Sequence, residues 1–148
     1  MDNNLRELYQ EMILEHARKP RNFGVLAAAN HHAHGHNPLC GDEITVHAQL
    51  DAAGLVEDVK FEGHGCAIST AAASLMTDIV KGKPAADVEE LFQNFHNAVT
   101  GKGGEEKLPT KLKVFTGVKD YPMRVKCATL AWHTLHAALH NQDEVTTE

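Results

Sequence analysis

The sequence predicts an α+β fold in which a small antiparallel sheet of about three strands packs against several helices. One observation is that apolar residues recur at helical spacing in four stretches. These stretches are 3–19, 68–79, 87–99 and 122–141. The other observation is that apolar and polar residues alternate on both sides of a turn signal at 51–54. A chain of 148 residues is long enough for one domain, which we expect to cover 1–148.

The N-terminal part of the chain is predicted to contain one helix followed by a stretch without regular periodicity. The helix covers 3–19 and stops at Pro20, because proline cannot continue a helix. Residues 21–39 are expected to be irregular or extended. They contain a cluster of histidines, His31, His32, His34 and His36. Histidine-rich tracts can bind metal, but we interpret this one as a solvated loop that binds metal only adventitiously.

The clearest strand signal is a β-hairpin. Alternation over 44–50 predicts a half-buried strand, and 51–54 is rich in turn-forming residues. The returning strand is predicted at 55–62, with Leu50 opposite Leu55 across the turn. Pairing then proceeds away from the turn towards the open end of the hairpin.

Three further helices are predicted after the hairpin. Their apolar stripes lie within 68–79, 87–99 and 122–141. Gly82 and Pro84 end the first of them. A glycine-rich, charged loop at 100–106 follows the second, and 107–121 shows no clear pattern. The tail at 142–148 is expected to be frayed.

Charge and hydropathy exclude several classes of partner. The formal net charge of −6 argues against nucleic acid and anionic membranes, since both attract a cationic face. No apolar run approaches the roughly 18 residues of a membrane span, and the first residues do not resemble a signal peptide. We therefore expect a cytoplasmic protein. Thiols stay reduced in that compartment, so its cysteines favour metal binding or chemistry over disulfides.

Three cysteines and one aspartate form the most informative pattern in the chain. Cys40 lies in NPLCGD, Cys66 in GHGCAIST and Cys127 in MRVKCATLAW, and Asp42 follows the first cysteine closely. Three thiolates and a carboxylate supply the four ligands of a tetrahedral zinc site. Hairpin pairing brings Cys40, Asp42 and Cys66 to one open end, whereas the sequence does not place Cys127.

Simpler interpretations of these residues remain open at this point. A lone cysteine such as Cys127 in an apolar helix is usually a small buried hydrophobe. Asp42, which follows a glycine, could be a turn cap. Cys66 begins a helix after two glycines, where the helix dipole favours a thiolate, and Arg124 and Lys126 are expected to favour one at Cys127. Cys40 lies in a loop, so it is the cysteine most able to move.

The chain resembles the U-type iron–sulfur cluster assembly proteins, the family of IscU and the NifU N-terminal domain. NPLCGD, the GHGC that opens a helix and the cysteine of the last helix occur in the family's order. Within the family the chain resembles the SufU branch more than the IscU branch. Lys126 stands where IscU-type scaffolds have a histidine, an LPPVK-type chaperone motif is missing, and 100–121 resembles the SufU insertion.

The resemblance implies an IscU-like fold and a zinc-dependent sulfurtransferase. Its partner would be a cysteine desulfurase of the SufS type that uses pyridoxal phosphate, and downstream iron–sulfur scaffold proteins would take the sulfur. Cys40 would be the catalytic acceptor and a zinc ligand, and Asp42, Cys66 and Cys127 would be the other zinc ligands. A partner histidine would replace Cys40 on the metal during docking. The alternatives are a scaffold that assembles a [2Fe–2S] cluster on the same residues, and a structural zinc module.

Overall fold

The computed structural model describes residues 3–147 and confirms an α+β fold. Met1, Asp2 and Glu148, which the predicted domain included, lie outside the described residues. The helices are α1 (Asn3–Arg18), α2 (Ala67–Val80), α3 (Ala85–Val99) and α4 (Pro122–Leu139). The strands are β1 (His31–Asn37), β2 (Asp42–Leu50), β3 (Val56–His64) and β4 (Glu144–Thr146). A 3₁₀ helix, Glu105–Lys107, lies at the end of the glycine-rich loop, and a longer one, Thr110–Asp120, occupies most of the stretch without a clear pattern.

The four described strands form one sheet in the order β3-β2-β1-β4. The predicted hairpin is present as the antiparallel pair β2–β3, and β1 pairs antiparallel with β2 on the other side. Leu50 lies opposite Val56 rather than Leu55, because an irregularity between Gln49 and Leu50 shifts the register there. Residues 22–24 bond to the outer edge of β3, where the Phe61 N–H donates to the Asn22 carbonyl.

The interpretation of His31–His36 as a solvated loop is wrong, because these residues form most of β1. Ala33, Gly35 and Asn37 are the buried positions of this strand, and His32, His34 and His36 alternate with them. Small or polar residues at the buried positions provide almost no apolar alternation, and alternation is the signal that identifies a strand from sequence.

The tail is not frayed where it forms β4, which corrects the expectation for 144–146. β4 runs parallel to β1, and the His34 N–H donates to the Asp143 carbonyl at 2.8 Å. Val145 packs against a small cluster of buried alanines, Ala33, Ala137 and Ala138. A single apolar residue in the tail was too weak a signal to predict a strand.

Helix α4 is the central element of the core. It packs against β1, β2 and α2, with the Trp132 ring buried beside Phe95. Gly35 permits the close approach to β1, because a Cβ atom there would lie 2.0 Å from Thr134 Oγ1. This packing fixes where the N-terminal turns of α4, and hence Cys127, lie relative to the sheet. None of the helices in the described part is long and apolar enough to cross a membrane.

Candidate metal centre

Cys40 lies in the turn that joins β1 to β2. Asn37 and Asp42 pair with each other at the ends of the two strands, and Pro38, Leu39, Cys40 and Gly41 connect them. The Cys40 and Gly41 amides both donate to the Asn37 carbonyl, at 3.3 Å and 2.9 Å. Gly41 has a φ of +72°, a conformation that glycine adopts without steric cost. The turn therefore presents Cys40 as an exposed thiol.

Asp42 is fully buried and joins β2 to the start of α2. Its Oδ1 accepts the backbone N–H of Cys66 at 2.8 Å, and its Oδ2 lies 3.9 Å from Cys66 Sγ. Gly65 makes this contact possible, since a Cβ atom there would lie 2.6 Å from Asp42 Oδ1. The carboxylate thus reaches a second element and does not merely close its own turn.

Cys66 occupies the N-cap of α2, as the sequence predicts. Its Sγ accepts the Ser69 N–H at 3.4 Å. The pKa of Cys66 is lowered to about 7, first by a hydrogen bond from the Cys127 thiol and then by the amides of the first turn, while burial and Asp42 oppose the shift. This cysteine is the one for which the structure favours a thiolate.

Cys127 is buried in α4 and completes the group. Its Sγ lies 3.5 Å from Cys40 Sγ. The prediction that Arg124 and Lys126 favour a thiolate here is wrong. The pKa of Cys127 is raised, first because its thiol is hydrogen-bonded to Cys66 and then because it is buried. The Arg124 guanidinium instead lies 4.7 Å from the centre of the Tyr121 ring.

The structure brings all four predicted site residues together. The ligand atoms of Cys40, Asp42 and Cys127 all lie within 4.8 Å of one another, and Cys66 joins them through Asp42 and Cys127. Two sulfurs bound tetrahedrally at about 2.3 Å are separated by about 3.8 Å. The Cys40–Cys127 separation of 3.5 Å is close to that value. The chemistry of the donor set and the spacing of Cys40 and Cys127 therefore fit a zinc ion, whereas Cys66 lies outside the group whose ligand atoms are all within 4.8 Å of one another.

Asn37 is a site residue that sequence reasoning missed. It is fully buried, and its Nδ2 donates to Cys127 Sγ at 3.8 Å. Its Oδ1 has no hydrogen-bond partner among the described residues. The available signal was an asparagine at the start of a turn that contains a candidate ligand, since asparagine commonly holds such turns.

Comparison with known proteins identifies the family. The family model of the NifU-like N terminal domain matches residues 8–128. The zinc-dependent sulfurtransferase SufU of Bacillus subtilis is 38% identical, with 95% of each chain covered. The iron–sulfur cluster assembly scaffold protein IscU of Thermotoga maritima is also 38% identical, over 89% of this chain and 92% of the relative.

A solved structure shows the same relationship in three dimensions. It is the crystal structure of a proposed iron–sulfur cluster assembly scaffold protein for the SUF system from Fervidobacterium islandicum. The two chains are 38% identical and superpose with a TM-score of 0.83, over 90% of this chain and 98% of the other. The order of the cysteine motifs, the fold and the length of these matches agree, and the chain belongs to the family of NifU-like N-terminal domains.

Proposed function

We propose that this protein is a zinc-dependent sulfurtransferase of iron–sulfur cluster assembly that acts in the cytoplasm. It accepts persulfide sulfur from a pyridoxal-phosphate-dependent cysteine desulfurase of the SufS type and passes it to a downstream iron–sulfur scaffold protein. The name and the similarity of the Bacillus subtilis relative support this function. The observation that carries the proposal is the position of one exposed thiol, Cys40, beside less exposed side chains that can bind zinc, namely Asp42, Cys66 and Cys127.

The residues would divide their roles according to how firmly each is held. Asp42, Cys66 and Cys127 lie in a strand, at a helix start and within a helix, and would hold the zinc. Bound zinc would keep its thiol ligands deprotonated and, having no redox chemistry, would not consume a persulfide. Cys40 lies in a turn and is exposed, so it can leave the group and meet sulfur on a partner.

The transfer step requires no external oxidant or reductant. The Cys40 thiolate attacks the terminal sulfur of the desulfurase persulfide. A new sulfur–sulfur bond forms on Cys40 while the original one breaks, and the desulfurase cysteine leaves as a thiolate. A second thiol can then take the same sulfur from Cys40 by the same exchange.

Assembly of a [2Fe–2S] cluster on the same ligands is the second candidate. The Thermotoga maritima relative is named as a scaffold and has the same 38% identity as the SufU protein, over a slightly shorter match. Lys126 before Cys127 favours transfer, because it supplies an ammonium instead of an imidazole ligand at that position. Anaerobic purification separates the two: about one zinc per chain without visible colour supports transfer, and a brown iron-containing protein supports scaffolding.

The decisive experiment follows the sulfur. The protein is incubated with the desulfurase and cysteine, and peptides are analysed by mass spectrometry for added sulfur. We expect the persulfide on Cys40, and we expect Cys40→Ser to abolish both the modification and the stimulation of desulfurase turnover. Sulfur on Cys66 or Cys127 with Cys40 unmodified would refute the acceptor assignment. Full stimulation by Cys40→Ser would instead support a structural zinc module.

A further inference from the structure

A second group of side chains that can bind a metal ion lies at the C-terminal end of α4. Glu89 projects from α3, and His136 and His140 come from α4 and its C-cap. Their spacing of four residues places the two imidazoles on the same face of the helix. One ligand atom of each of the three residues lies within 4.8 Å of the others.

The three side chains converge on a single oxygen atom. Glu89 Oε1 is hydrogen-bonded to His136 Nδ1 and lies 3.2 Å from His140 Nε2. The two imidazole rings are close neighbours, with centroids 4.3 Å apart. Two imidazole nitrogens and a carboxylate are a recurrent ligand set for zinc, in sites that keep a fourth position for water or another ligand.

The second group is packed against an aromatic ring on one side and is exposed to solvent on the other. The Phe92 ring packs against His136 at a centroid distance of 5.4 Å, which limits the movement of that imidazole. On the other side the site is open to solvent, since 32% of the Glu89 side chain and 51% of the His140 side chain are exposed. An ion can therefore reach the group without unfolding of either helix.

We propose that Glu89, His136 and His140 form a second metal site that binds a divalent transition ion of the zinc class. This site is independent of the thiol centre. With a rise of about 1.5 Å per residue, His136 lies about 14 Å from Cys127 along α4. A bound ion would connect α3 to the C-terminal end of α4, whereas the thiol centre connects the other end of α4 to the sheet.

The competing explanation is that these residues only share hydrogen bonds, with both histidines donating to Glu89. Such a cluster needs no ion, so the test must measure binding directly. Protein containing one zinc per chain is titrated with cobalt(II), whose visible spectrum distinguishes thiolate ligands from nitrogen and oxygen ligands. We expect one cobalt ion per chain to bind as a second equivalent of metal. Its spectrum should show no thiolate-to-cobalt charge transfer, and the zinc should not be released.

Matched variants assign that second equivalent. We expect Glu89→Gln and His140→Gln each to weaken it at least about tenfold, since each removes one of three ligands. The control is His31→Gln, which removes a histidine from β1, and we expect it to have no effect. The proposal is overturned if the wild-type protein binds no second ion. It is equally overturned if the α3–α4 variants bind it unchanged, or if the His31 variant alone loses it.

Discussion

The Asn37 side chain donates from Nδ2 to the sulfur of Cys127 at 3.8 Å, although the two residues are 90 positions apart in the sequence. The backbone carbonyl oxygen of the same asparagine accepts the Cys40 and Gly41 amides and so holds the Cys40 turn. It therefore connects the exposed thiol of the site with the buried one. Groups that hydrogen-bond to metal ligands orient them and tune their basicity.

Asn37→Ala is expected to weaken zinc binding by about tenfold, because Cys127 loses a buried hydrogen-bond donor. The measurement is the rate and extent of zinc transfer to a colorimetric chelator. Asn30→Ala is the control, because Asn30 also makes side-chain hydrogen bonds, two with Leu50 and one with His31, and none of them is to a candidate ligand. If both variants release zinc equally fast, the effect is a general loss of stability and not a property of the site.

Substitutions of Asp42 separate its structural contact from its charge. Asp42→Asn keeps an oxygen that accepts the Cys66 N–H, whereas Asp42→Ala leaves that donor unsatisfied. We expect the alanine variant to lose about 1–3 kcal/mol more unfolding free energy than the asparagine variant. Both should bind zinc more weakly than the wild type. Denaturant unfolding with and without a chelator measures both effects, and equal stability of the two variants would contradict this structural role.

Gly35→Ala is expected to destabilise the protein by about 1–3 kcal/mol, because the added methyl group would overlap Thr134 Oγ1 and force α4 away from β1. Zinc affinity should fall as well, since Cys127 moves with α4. Gly117→Ala is the matched control, with nothing within 4 Å of the added Cβ atom. Thermal unfolding compares the two, and equal melting temperatures would show that the close approach is not required.

Stability is expected to fall on acidification partly through His16. This side chain is buried, its Nδ1 lies 2.7 Å from Ser74 Oγ, and burial, with a smaller contribution from Arg21, lowers its pKa. The unfolded chain takes up the proton near pH 6.5 and the folded protein does so only at lower pH. The contribution of His16 to the free energy of unfolding is therefore fully present above about pH 6.5. It decreases as the pH falls towards the lowered pKa.

His16→Asn removes this contribution and should flatten the decrease in melting temperature between about pH 7.5 and 5.5. His31→Asn is the control for the substitution itself, at a half-buried position on β1. Acid effects at other groups are common to all three proteins, so only the difference in slope is informative. An unchanged slope in the His16 variant would contradict the assignment.

The hairpin β2–β3 and its open end could be predicted because alternation and a turn signal are local properties of the sequence. Register then brought Cys40, Asp42 and Cys66 together without any knowledge of helix packing. The position of Cys127 could not be obtained in that way. It depends on how α4 lies on β1, and that packing requires the close approach of Gly35 to Thr134, which are 99 positions apart.

Strands β1 and β4 could not be predicted for a related reason. The buried side of β1 consists of Ala33, Gly35 and Asn37, which are small or polar, and β4 has Val145 as its one apolar residue. These strands form because the rest of the fold supplies their hydrogen-bonding partners. Asn37 was missed for the same reason, since its importance arises only from the distant residue that it contacts.

The three long strands of the sheet, β3, β2 and β1, are flanked on each side by a short segment of the chain. β4 hydrogen-bonds to β1 at His34 and His36, and residues 22–24 do the same to β3 at Phe61. Uncovered edge strands invite a further strand from another molecule, which leads to aggregation. At these positions β1 and β3 are already paired, so a strand of another molecule cannot pair with them directly. If Cys40 accepts sulfur as proposed, this pairing favours approach of the donor through side chains and through the exposed turn that presents Cys40.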